Sequence, residues 1–217
     1  MEQNEKYFND LVEVRKLMEK SSKFISLSGW SGIMAGIYAL IGLYLAMEQL
    51  EVFGAYQRGD YYMDSSNVGG INVILDHINI VLIAMGVVVL SILTGIALTT
   101  RKAKQKGQTI LDKIAIKMIV NLSIPVVAGG LFIYLLLDRQ HFDMLIPAML
   151  IFYGLGLVNG SKYTLHTIRN LGIAQICLGI LAGLMPQYDF LIWGIGFGVL
   201  HIVYGAFMWF KYERKTA

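Results

Sequence analysis

Residues 121–163 read NLSIPVVAGGLFIYLLLDRQHFDMLIPAMLIFYGLGLVNGSKY. Two apolar runs flank one short polar link, LDRQHFD at 137–143. Roughly 20 consecutive apolar residues suffice for a helix to cross a bilayer. A link this short folds consecutive helices side by side and antiparallel. The stretch therefore predicts a transmembrane helical hairpin with spans at 114–137 and 143–160.

The same pattern extends in both directions. Apolar runs at 24–47, 71–99, 167–185 and 189–210 bring the total to six spans, the last two joined by MPQYD at 185–189. Composition agrees: the chain is 56% hydrophobic and 15% charged, against about 25% charged in soluble domains. The expected fold is all-α, a polytopic membrane protein of six transmembrane helices in three antiparallel hairpins.

Orientation follows from the basic residues. Of the 18 Lys and Arg residues, only Arg58 and Arg139 fall in loops on one side; the other sixteen fall on the opposite side. Lys and Arg accumulate on the cytoplasmic side, so both termini are expected there. Residues 1–23 form a densely charged cytoplasmic segment, unlike a cleavable signal peptide. Tyr7, Leu11, Val14 and Met18 recur along it at helical spacing, which predicts an amphipathic helix. Residues 24–212 form the transmembrane domain and 213–217 a cytoplasmic tail. Thr109 and Asp112 resemble a capping box opening the third helix.

The basic residues thus line one membrane face, where they meet anionic head groups. No nucleic-acid-binding motif accompanies them, so the expected partner is the lipid bilayer and not a nucleic acid. One cysteine, Cys177, excludes an intramolecular disulfide and a Cys-rich metal or redox site. Haem ligation by two histidines needs rings at matched depth, and only His201 is mid-membrane among four. No cofactor or metal is expected.

Two stretches echo one another. NLSI at Asn121 and NLGI at Asn170 open the third and fifth spans, and FDMLIP at 142–147 answers YDFLIW at 188–193. The pattern suggests a duplicated hairpin. Transporters are often built from such repeats, with sites where repeats meet.

The first span carries Gly29-Trp30-Ser31-Gly32, the G-x-S-G string that surrounds the serine of rhomboid intramembrane proteases. Ser31 and His201 lie at similar depths, roughly 12 and 15 Å from the cytoplasmic boundary at 1.5 Å per residue. The string sits in the first span, however, and no oxyanion-hole residues match those of rhomboids. A nucleophilic serine needs both a base and an oxyanion stabiliser. Ser28, Gly32 and Gly36 fall four apart and form a small-residue stripe that lets two helix backbones approach closely. Packing accounts for more of these residues than catalysis does, and no catalytic residue is assigned.

Polar residues inside the bilayer are sparse. His201 is the one clear mid-membrane ionisable group, and intramembrane ionisable residues mark functional sites. With Tyr204, Gln175 and Asn121 it makes the candidate ligand site. Its structural alternative is a histidine hydrogen-bonded to a neighbouring helix. Asn72, Asp76, His77 and Asn79 form a polar stripe at the outer end of the second span, either a solvated rim or a cation-binding cluster. Pro125 and Pro147 open gaps in the backbone ladders of spans three and four, as kinks or beside a cavity.

The stretch LMEKSSKFISLSGWSGIMAGIYALIG, residues 17–42, resembles the start of a group of small polytopic bacterial inner-membrane proteins. The resemblance is looser over the later spans. It implies a bacterial cytoplasmic-membrane location and carries no activity or catalytic residue. Three functional readings stand. One is small-solute or ion transport or binding through an intramembrane site near His201. The second is a structural, sensory or accessory role, with glycine-rich faces serving a homo-oligomer or a membrane partner. The third is an intramembrane serine hydrolase.

Overall fold

The computed structural model describes residues 28–49, 70–105 and 113–213; the side chains of 49, 70–80, 212 and 213 lie outside the described set. The amphipathic segment at 1–23, the start of the first span, the capping box and the tail beyond 213 lie outside the described residues. Within them the chain is helical and no strand occurs. Six helices are long and apolar enough to cross a membrane.

Helix α1 is Gly29–Gln49, α2 Gly70–Gln105, α3 Lys113–Asp138, α4 Leu145–Gly160 and α5 His166–Leu184. The sixth, α6, is composite. Asp189–Trp193 is α-helical, Gly194–Val199 π-helical, Leu200–Met208 α-helical again, and Trp209–Glu213 π-helical. Helix α2 runs six residues past its expected apolar end. Thr100, Arg101, Lys102, Ala103, Lys104 and Gln105 continue it because most are good helix formers, and lysines in the last turn offset the helix dipole.

The link at 138–141 ends α3 in a defined way. The His141 N–H bonds to the Leu136 carbonyl and the Gln140 N–H to the Leu137 carbonyl, the two bonds of a Schellman turn. Gln140 holds the left-handed position at φ 59°, where glycine would be less strained. A 3-10 turn, Phe142–Met144, follows before α4; the corresponding turn before α6 is Pro186–Tyr188.

Helix packing rests on missing side chains. A Cβ on Gly156 would lie 2.9 Å from Val126 and 3.0 Å from the Leu122 carbonyl, so α4 sits directly on α3. Gly154 and Gly172 do the same between α4 and α5, each facing the other's carbonyl. Helix α1 lies on α6: a Cβ on Gly36 would meet the Gly198 carbonyl at 2.6 Å, and one on Gly32 the Gly205 Cα at 3.2 Å. Ser28 is buried at the start of the same face. In lipid, where tails are as apolar as side chains, such close approach supplies the dispersion contacts that hold helices together. Helix α2 packs against α1, and Tyr38 and Thr94 share a 3.2 Å hydrogen bond across that contact. The outward faces of α2 and α3 are apolar and exposed, with Leu82, Met85, Leu93, Ile124, Val127 and Leu131 among them.

The two prolines behave differently. Pro147 is the third residue of α4, where the backbone N–H has no intrahelical acceptor in any case. Pro125 is inside α3 and costs the Asn121 carbonyl its i+4 donor. That carbonyl accepts instead from Asn159 Nδ2 of α4 at 2.8 Å.

Candidate functional site

The π-helical segment of α6 shifts the backbone ladder. The Leu200 N–H reaches back five residues to the Ile195 carbonyl, passing over Gly196, its partner in an α-helix. Two side chains converge on the Gly196 carbonyl. Gln175 Nε2 of α5 donates to it at 2.7 Å, and His201 Nδ1 contacts it at 3.0 Å.

This contact fixes the histidine tautomer. A carbonyl can only accept, so Nδ1 carries the proton and Nε2 of the neutral ring carries a lone pair. Tyr153 Oη of α4 lies 2.7 Å from Nε2 and therefore donates to it. Three helices are thus tied at one backbone carbonyl through Tyr153, His201 and Gln175. His201 is 7% exposed and Gln175 0%. Aromatic rings extend the cluster: Phe197 stacks on His201 at 6.0 Å and 15°, and contacts Tyr153 at 5.2 Å and Trp193 at 5.1 Å.

Gln175 keeps one polar atom in reserve. Its Oε1 is buried and has no hydrogen-bond partner among the described residues. It rests against Gly196, where an added Cβ would come within 2.7 Å of Oε1 and 2.6 Å of Leu150. Glycine is what admits the amide. Buried acceptors are rarely left unpaired, and each exception calls for an explanation such as a water, an ion or a functional role.

Of the residues expected at the site, His201 and Gln175 come together at Gly196. Tyr204 packs near them against the cluster of Leu157, Ile168 and Leu171, which Tyr153 and Leu200 also join. Asn121 is elsewhere: its side chain donates to the Lys117 carbonyl at 2.8 Å within α3, and its carbonyl serves Asn159. The backbone of 72–79 belongs to α2, but the side chains of Asn72, Asp76, His77 and Asn79 lie outside the described residues. No group of three or more His, Cys, Asp or Glu that could hold a metal occurs among the described residues.

Ser31 donates to the Ser28 carbonyl at 2.6 Å, a local bond within the first turn. Both His201 ring nitrogens are engaged with Tyr153 and Gly196. Ser31 and His201 form no hydrogen-bonded pair.

Sequence reasoning missed Tyr153 as the histidine's partner and Gly196 as the shared acceptor. The available signal was Gly194, Gly196 and Gly198 at alternate positions before His201, a spacing that suits neither helical face nor a single close contact. No family model matches this chain, and no curated protein or solved structure matches it either.

Proposed function

We propose that the chain is a multi-pass protein of the bacterial cytoplasmic membrane that binds a small polar solute or ion at the Gln175–Gly196–His201 cluster. In this reading its six helices form three antiparallel hairpins with both termini cytoplasmic. The asymmetry of Lys and Arg supports that topology, as does the Schellman turn between α3 and α4. The resemblance over residues 17–42 supports the location.

One observation carries the functional reading: a buried acceptor, Gln175 Oε1 of α5, without a partner among the described residues, rests against the π-helical turn that precedes His201. π-Turns inside helices recur at functional sites. The open atom is an acceptor, so the solute it suits carries an N–H or O–H donor, or is a cation. The rings of Tyr153, Phe197 and Trp193 that pack beside His201 are of the kind that attracts positive charge.

The accessory-protein reading has its own support. His201 has both nitrogens satisfied, as a structural residue would, and α2 and α3 present long apolar faces. The two readings part in a substitution series on reconstituted protein. His201→Gln can keep a bond to Gly196 and should fold. If the site reading holds, it loses solute binding or flux while melting close to the parent. If His201→Gln equals the parent in every binding and flux assay and His201→Leu only melts earlier, the residue is structural and the accessory reading replaces the first.

A further inference from the structure

At the end of the bundle where α3 begins and α4 stops, polar and charged groups are arranged across the seam between the two helices. Asn159 Nδ2 holds the Asn121 carbonyl, and Lys162 Nζ donates to Asn159 Oδ1 at 3.3 Å. Asn121 in turn donates to the carbonyl of Lys117. The chain of bonds sets the Lys162 ammonium beside the first turns of α3. Gly160 keeps the helices close there, with Leu122 at 3.2 Å and the Met118 carbonyl at 3.6 Å from where its Cβ would be. Arg169 lies one turn before Gly172, which packs on Val158, so it belongs to the same rim.

Lys117, Lys162 and Arg169 are all exposed. The described carboxylate side chains are Glu48, Asp138, Asp143 and Asp189, and all four sit at the other ends of their helices. Among the described residues, then, the rim carries cations that no carboxylate neutralises; Lys162 leans on a neutral amide. Immediately along α3 from Lys117 runs an exposed apolar face of Ile116, Ile119, Val120 and Ile124.

We infer that the rim at Lys117, Lys162 and Arg169 is a binding site for an anionic phospholipid. Its phosphate lies between the Lys117 and Lys162 ammonium groups, and its acyl chains cover the Ile119–Ile124 face of α3. Cationic side chains between helix ends are suited to lipid head groups. The continuous apolar face selects a lipid over a free phosphate. The site is independent of His201 and of any solute bound there.

The test uses the full-length protein in nanodiscs, comparing pure phosphatidylcholine with discs that include phosphatidylglycerol. Phosphatidylglycerol should raise the melting temperature of the parent, and added salt should reduce the rise. The Lys117→Gln/Lys162→Gln pair should lose most of the rise while melting normally in phosphatidylcholine. Lys162→Arg should keep it, as should Lys104→Gln, which removes an exposed cation from the end of α2. Four results would overturn the proposal: no rise in the parent, a full rise in the double variant, an equal loss in Lys104→Gln, or an equal rise from inorganic phosphate in phosphatidylcholine discs. The third would reduce the effect to general surface charge. Should the double variant fail to fold, Lys162→Gln against Lys162→Arg decides the matter, and equal rises in the two would refute the site.

Discussion

The backbone carbonyls of Asn121 and Gly196 are both released from their helical donors, and the protein treats them differently. In α3, Pro125 has no N–H to offer Asn121, and the Asn159 amide of α4 takes its place. In α6, the π-turn carries Leu200 past Gly196, and Gln175 and His201 take its place. The first repair closes on itself. Asn159 spends its amide nitrogen on the carbonyl and its oxygen on Lys162, at an end of the bundle within reach of water. The second stays open. Gln175 spends its nitrogen on the carbonyl and leaves its oxygen unpartnered at 0% exposure. A proline defect needs one donor, and one amide supplies it. The glycine-rich π-turn attracts two donors, and the surplus polarity faces the interior. That surplus separates a repaired helix from a candidate site.

The largest effect is expected at the seam that positions the π-turn. Gly36 faces the carbonyl of Gly198, inside the π-segment, and backbone cannot step aside as a side-chain end can. Gly36→Leu should lower stability by about 3 kcal/mol, the upper range for overpacking, read as an earlier melting transition in detergent.

A smaller effect is expected at the proline gap. Asn159→Leu should cost about 1–2 kcal/mol by leaving the Asn121 carbonyl unpaired. In a Pro125→Ala background the helix regains its own donor, and the same substitution should cost almost nothing. A double-mutant cycle then gives a coupling of about 1 kcal/mol. Strict additivity would show that Asn159 does not serve the proline gap.

The smallest effect is expected at Ser31. Among the described residues its hydroxyl bonds only to the Ser28 carbonyl, so Ser31→Ala should change stability by less than about 0.5 kcal/mol and leave any solute binding intact. Fluorophosphonate labelling of Ser31 that disappears in His201→Ala would contradict this.

Much of the architecture was legible because it is written in local pattern. Apolar runs of membrane length announce six spans. The small-residue stripe at Ser28, Gly32 and Gly36 announces a close helix contact, although the partner, α6, is the helix most distant in sequence. Pro125 announces a gap at Asn121, four residues earlier, but nothing local says that Asn159 fills it. The candidate site was legible only in part. His201 and Gln175 stand out as polar residues in apolar runs. Their convergence depends on a register change in α6, and periodicity assumes a constant register. Asn121 was grouped with them as another of the sparse polar residues of the spans, yet its side chain folds back onto its own helix. Tyr153 was one tyrosine among several, and its role follows from which face of α4 meets α6.

On the reading proposed above, Gln175 Oε1 is an acceptor for a solute and not a dry structural remnant. The most direct measurement is the melting temperature of the solubilised full-length protein with a panel of small donors and cations, namely ammonium, methylammonium, potassium, sodium, urea and glycerol. Gln175→Leu is run in parallel. A ligand that binds only the folded state raises that temperature in proportion to its occupancy. At least one member of the panel should raise the melting temperature of the parent, saturably, and leave Gln175→Leu unmoved. A parent indifferent to the whole panel, with Gln175→Leu melting at or above it, would rule out a solute site at Gln175.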